Sequence, residues 1–389
     1  MPDRASSSSP LTKPLLAGLG AAVLGAGGLG LLALLGGAEP EPVSARIALP
    51  APETIELAVA PTGPAPVDLG ADASEDVALP GVSDTEAALS PVPPDVPSSD
   101  PADAERRLAR SAPPAPLQGF FEPGPGGPLP IIHADGRRPS QVYAKAFDGD
   151  FDAPTLAVVV GGLGLNAALT EAAIETLPSS VTLSFVPYSD DLQGWINRAR
   201  ADGHEVLIEL PMEPFDYPNN DPGPHTLLAE ASPAENRRRL EWLLSRASGY
   251  FGVTNYLGAR FGTEQAAMAS VFAEVERRGL DLLHDGAGRR STLDAAASAS
   301  GAHLAVADRV VDGDPDPRAI DRKLLELEAL ALQNGSALGS GFAYPATVDS
   351  VAAWVDGLDA RGYQLAPASF LVRKRRAQDQ AAGDGGRGA

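Results

Sequence analysis

The sequence predicts an α/β fold with parallel strands, curled into a small irregular barrel of seven or eight β/α units. Three observations lead there. Between Ala153 and Val372, short apolar runs alternate with helix-patterned stretches, as parallel strands joined by crossover helices require. The runs are too many and the segment too short for a long open sheet. Most runs also end in glycines or other turn formers, which places the candidate functional residues at strand C-termini, the functional face of such a barrel.

The elements follow in order. Residues 14–37 form a candidate membrane anchor. Leu15 to Gly37 carries no charge, and at about 1.5 Å per residue a helix of this length crosses about 30 Å of hydrocarbon. Arg4 and Lys13 precede it, and Glu39 and Glu41 follow. By the positive-inside rule residues 1–13 are cytoplasmic and the rest lies across the membrane. A cleaved secretory signal is the alternative, although its apolar core is usually about 7 to 15 residues. Residues 38–127 mix Pro, Ala, Asp, Glu and Ser without a sustained period, and read as a disordered acidic spacer. Residues 128–152 restore apolar and aromatic residues and read as a docking segment.

Strands are predicted at Leu156–Val160, Val181–Val186, Glu205–Leu210, Gly252–Asn255, Leu280–Leu283, His303–Val306, Ser336–Leu338 and Gln364–Ala366. Ser232-Pro233-Ala234-Glu235 predicts a capping box opening a helix to Arg246, and Pro317 to Asn334 predicts a helix with Gly335 at its C-cap. The tail 373–389 is polar and glycine-rich and reads as unfolded.

Composition excludes several functions. With no cysteine there are no disulfides, thiolate metal sites or cysteine nucleophiles, so a metal would need His, Asp or Glu. The formal charge of -21 argues against a nucleic-acid partner. Gly162-Leu163-Gly164-Leu165-Asn166-Ala167 fits a dinucleotide fingerprint, yet no acid ends the next strand, where a ribose hydroxyl would be held. No Lys follows the glycines, so a Walker loop is excluded.

Other strand ends carry more chemistry. One deposits Glu209 and Glu213 before a loop containing Asp216, a natural binding element. His204 and Glu209 are separated by an odd interval, so a regular strand points them to opposite faces. Leu283-His284-Asp285-Gly286 offers metal ligands or an acid/base couple, although adjacent residues on an extended chain diverge. Asn255, Tyr256 and Arg260 end another strand with groups suited to sugar hydroxyls and ring faces, and Tyr344 follows a later one.

The ordered segments V-V-V-G-G-L-G, L-S-F-V-P-Y, G-H-E-V-L-I-E-L-P-M-E-P, D-Y-P-N-N-D-P-G-P, G-V-T-N-Y-L-G-A-R-F and G-F-A-Y-P-A-T resemble the divergent polysaccharide deacetylases from about Ala153 to Phe370. The resemblance implies a barrel of the glycoside hydrolase/deacetylase type, exported to the bacterial envelope. It also implies a divalent metal such as zinc, which activates water against an N-acetyl group. Where the family carries an Asp-Asp pair, this chain has Gly161-Gly162, and family histidine positions fall on Glu209, Tyr256 and Phe342.

The expectation is a single-pass inner-membrane protein with its C-terminal domain in the periplasm. That domain takes a cell-wall or other envelope glycan through Glu213, Asp216, Asn255, Tyr256, Arg260 and Tyr344, and its metal-dependent hydrolysis is reduced or lost. No cofactor is expected unless the site is active, in which case a divalent metal with His204 or His284 as candidate ligand enters. Two alternatives stay open. One is a rewired hydrolase using Glu209, Glu213, Asp216, His284 and Asp285, with Glu209 and Asp285 catalytic; the other is an envelope adaptor with a protein partner.

Overall fold

A computed structural model describes residues 115–288 and 291–385. The expected anchor at 14–37 and most of the spacer lie outside the described residues. Among those described, no helix is long and apolar enough to cross a membrane.

The first strands, β1 (Phe121–Pro123) and β2 (Pro128–Pro130), pair as an antiparallel hairpin. This moves the expected boundary at 127. From residue 115 the chain is docked, because Phe120, Leu129 and Tyr143 are buried and Arg278 holds both Glu122 and the Pro130 carbonyl. A composition rich in Pro, Gly and Ala hid a few apolar anchors that need no period of their own.

The main sheet contains β3 (Thr155–Leu163), β4 (Thr182–Phe185), β5 (Val206–Met212), β6 (Gly252–Leu257), β7 (Asp281–His284), β8 (Leu304–Val306), β9 (Arg309–Val310), β10 (Ser336–Phe342) and β11 (Gln364–Leu365). All its pairings are parallel, in the order β8-β7-β6-β5-β4-β3-β10-β9, with β11 against the start of β3. Only Ala307 and Asp308 separate β8 from β9. Ala307 N–H donates to the His284 carbonyl, and Asp308 N–H to that of Leu338. One continuous segment therefore pairs first with β7 and then with β10, and the sheet curls until its ends meet. The eight predicted strands all form; β9, two residues long, is too short to read from sequence.

Alternation sorts the apolar runs into two layers. Ala157, Val159, Leu207, Leu283, Ala305 and Leu338 face the inside with Leu371 and Val372. Leu156, Val158, Val160, Ile208 and Leu210 face the helices outside. Both faces are covered, which is why these strands read as unbroken apolar runs.

Helix ends follow local chemistry. Asn166 caps the helix Ala167–Thr176 by accepting from Leu169 N–H, and Asp316 caps Pro317–Asn334, which stops at Gly335 with φ 76°. Ser232 accepts from Glu235 N–H, but the Glu235 carboxylate turns to Arg238 and Arg239, so only half of the predicted capping box forms. That helix ends at Leu244.

The N-terminal mouth of the barrel is plugged. Buried Glu205 accepts from Thr182 Oγ1, from Ser369 N–H and Oγ, and from Lys145 N–H. The expected tail from 373 is instead part of the helix Ala368–Gly385. Lys374 is buried, with Nζ donating to the Ala153 carbonyl (2.6 Å) and Thr155 Oγ1 (2.9 Å), and Arg375 pairs with Asp308. Its polar residues satisfy strand-end oxygens, a use that polarity alone does not reveal.

Candidate functional site

At the C-terminal ends of the strands a cavity of about 70 Å³ opens, lined at its polar side by Ser184, Glu209, Asn255, His284, Asp285 and Ser340. Its apolar walls include Val159, Leu283, Ala307, Leu338 and Phe342. Inward-pointing positions from several different strands meet here, which is why no contiguous motif outlines it.

Gly161 and Gly162 sit at a break in the β3/β4 register, a β-bulge. Gly162 has φ 75°, a left-handed conformation that a residue with Cβ adopts poorly. The bulge turns the Gly162 N–H onto Glu209 Oε1 at 2.6 Å, and Ser184 Oγ donates to the same oxygen at 2.8 Å. A Cβ on Gly161 would lie 2.6 Å from both Glu209 Oε1 and Ser184 Oγ. The volume in which a side chain at 161 would begin is therefore filled by a carboxylate that arrives from β5.

Glu209 is 2% exposed, and its second oxygen, Oε2, is buried without a hydrogen-bond partner. Burial pushes its carboxyl up to about 7, and the charge of Asp285 adds to the rise. Burial likewise lifts Asp285 to about 6, against hydrogen bonds from Asn255 and from Ala287 N–H. Asn255 ties the site together: its Oδ1 accepts from Asp285 N–H at 2.9 Å, and its Nδ2 donates to the carbonyl of Leu257. Leu257 is held at φ 58°, a strained conformation for a leucine.

His284 and Asp285, adjacent and expected to diverge, both line the cavity, with Nδ1 and Oδ1 3.3 Å apart. The strand ends at His284, so Asp285 lies in a turn rather than on extended backbone. His204 does point away from Glu209, and its ring contacts the carbonyls of Val181 and Ile174. It is not near the cavity and serves as a buried tie between elements, so the metal-ligand expectation for it is corrected.

The other expected binding residues divide. Tyr256 and Tyr344 flank Phe342 with ring centroids 6.3 and 6.1 Å away, forming an aromatic group at the mouth, where Tyr344 is 49% exposed. Glu209 and Tyr344 help to raise the Tyr256 hydroxyl pKa, after burial. Glu213 accepts from Ala229 N–H, Asp216 lies in the exposed loop, and Arg260 pairs with Glu230 and Glu264. None of these three is among the residues lining the cavity. The loop from Pro214 is turned aside, with Gly223 against the Tyr188 ring. Ser184 is the residue that motif reading missed; its signal was an inward parity shared with Thr182 on a short strand.

The glycine loop does not form a phosphate cradle. Its Gly162 N–H faces Glu209, its Gly164 N–H donates to Thr170 Oγ1, and Asn166 caps the following helix. Nor do the residues present fit a divalent metal: Glu209, His284 and Asp285 line one cavity, yet among the described residues no group of three or more His, Asp or Glu is placed to hold an ion.

Comparison with known proteins agrees with the motif resemblance. The family model described as divergent polysaccharide deacetylase matches residues 158–372, more than half of the chain. The uncharacterized protein YibQ of Escherichia coli (strain K12) is 28% identical over 220 residues, which cover 56% of this chain and 65% of that protein. The match thus spans just under two thirds of that relative. The crystal structure of uncharacterized protein ATU2773 from Agrobacterium tumefaciens C58 superposes with a TM-score of 0.61 at 39% identity, covering 63% of this chain and 99% of that one.

Proposed function

The chain belongs to the divergent polysaccharide deacetylase family, and from that premise we propose that it is a membrane-anchored envelope protein whose barrel binds a cell-wall glycan with metal-dependent hydrolysis reduced or lost. The observation that carries this reading is the exchange at the first strand end. Gly161-Gly162 forms a bulge around the carboxylate of Glu209, and among the described residues no three His, Asp or Glu are placed to hold a metal ion, although His284 shares the cavity with Glu209 and Asp285. The aromatic group of Tyr256, Phe342 and Tyr344 beside a cavity with two carboxyl groups on its polar side suits a sugar ring, whose apolar face stacks while its hydroxyls find acceptors. The uncharged segment Leu15 to Gly37 and the positive-inside pattern support the anchor and the periplasmic placement.

The full chain, purified in detergent, is expected to be retained on isolated cell wall and to release no acetate from N-acetylated glycan fragments with or without added zinc. Stoichiometric metal together with metal-dependent acetate release overturns the reading. A second reading, a metal-free hydrolase, is favoured by one observation: two carboxyl groups of raised pKa share a cavity, as an acid/base pair does. It predicts metal-independent turnover on glycan that Glu209→Gln abolishes.

A further inference from the structure

The hydrogen bonds around the cavity carry the glycan reading further, to the chemical group that enters. Four donors near it are committed to protein oxygens. Gly162 N–H and Ser184 Oγ both donate to Glu209 Oε1, Ser340 Oγ donates to the Asp285 carbonyl, and the Asn255 amide donates to Leu257. The acceptor side is different. Glu209 Oε2 is buried and unpartnered, and Asp285 brings a second carboxyl group to the same cavity. Neither Lys nor Arg is among the lining residues.

A ligand complementary to this arrangement supplies N–H donors and positive charge. Among the described residues no three His, Asp or Glu are placed to hold a metal ion. An acetamide brings one N–H and then sets its carbonyl oxygen among oxygens, whereas a primary ammonium brings three donors and the missing charge. The space, about 70 Å³, accepts a substituent rather than a sugar ring, and the ring would remain at the mouth beside Tyr256, Phe342 and Tyr344. We propose that this cavity takes the primary ammonium group of an amino sugar, so that the domain recognises de-N-acetylated residues of the glycan in preference to acetylated ones. This rests on the glycan-binding reading above and gives that reading a specificity. Glu209 is the specificity-determining residue, with Asp285 as the second charge.

The test titrates the full chain in detergent at pH 7.5 with three probes: a glucosamine tetramer, its fully N-acetylated counterpart and methylammonium chloride. Charge-assisted hydrogen bonds to a buried carboxylate predict that the free-amine tetramer binds about 10- to 100-fold tighter than the acetylated one. Glu209→Gln retains an acceptor for Gly162 and Ser184 while removing the charge, and is expected to erase the preference. A second readout needs no variant: binding of methylammonium, which stays charged near pH 7, releases a proton from Glu209, seen as a dependence of the heat on buffer ionisation enthalpy. The ionisable groups near Glu209 that enter this balance are Asp285 and His284 at the end of β7 and Tyr256 on β6.

Equal affinity for the two tetramers, a preference that survives in Glu209→Gln, or methylammonium binding without proton release overturns the inference and leaves the glycan reading standing. Glu209-dependent binding of methylammonium with neither tetramer bound supports the ammonium site and overturns the glycan reading. No binding of any probe overturns both.

Discussion

Replacing Gly161 with alanine tests whether Glu209 occupies the volume of the missing side chain. An added Cβ would stand 2.6 Å from Glu209 Oε1, well inside contact distance, so the carboxylate must move. Moving it breaks the bonds from Gly162 N–H and Ser184 Oγ, each worth about 0.5 to 1.5 kcal/mol net. Overpacking in a closed interior adds about 1 to 3 kcal/mol. The expected loss is therefore roughly 2 to 6 kcal/mol of unfolding free energy. In a Glu209→Ala background the same substitution meets an empty volume, and Ser184, released from Glu209, can rotate away from its own 2.6 Å contact. There Gly161→Ala should cost under about 1 kcal/mol, a coupling of at least about 1 kcal/mol. Urea denaturation of the four proteins, with unchanged m-values, measures the cycle. Additive effects within about 0.5 kcal/mol would refute the shared-volume interpretation.

Three further outcomes follow from the same contacts. Because burial raises Glu209 from 4.5 to about 7, the folded state holds its proton more tightly than the unfolded chain. Its contribution is full below pH 4.5 and is lost as pH rises through 7; at about 1.4 kcal/mol per unit it amounts to roughly 3 kcal/mol. Wild type and Glu209→Gln compared by denaturation between pH 4.5 and 8 should therefore converge in slope only outside that window, and parallel curves throughout contradict the burial effect. Asn255→Ala removes the bonds to Asp285 N–H and to the Leu257 carbonyl, and is expected to cost about 1 to 3 kcal/mol in the same assay; a neutral result means that the turn at Asp285 does not depend on Asn255. Truncation after Val372 removes Lys374 and Arg375 with their bonds to Ala153, Thr155, Val306 and Asp308, and should lower the midpoint of thermal unfolding by several degrees, while an unchanged midpoint would make those residues a passive tail.

The sequence by itself determined the parallel α/β architecture, because covered strands must be apolar on both faces and bounded by turn formers, and that pattern is local. It also determined the helix caps at Ser232 and Gly335, where one side chain or one φ value decides the end. Motif order was enough to reach the family, since it samples many strand ends at once. Only the tertiary structure decided what the strand ends do together. Glu213 and Glu209 share a strand end, yet Glu213 is turned to Ala229 while Glu209 enters the cavity. Gly161-Gly162 looked like two carboxylates lost, and the fold shows another carboxylate in their place, delivered from a residue 47 positions away. Docking of residues 115–127 and the burial of Lys374 were equally invisible, because an aperiodic segment becomes structure only through partners distant in sequence: a pocket for Phe120, Arg278 for Glu122, and strand-end oxygens for Lys374. Periodicity is written along the chain, whereas charge, volume and hydrogen-bond satisfaction are settled between strands that only the closed sheet brings side by side.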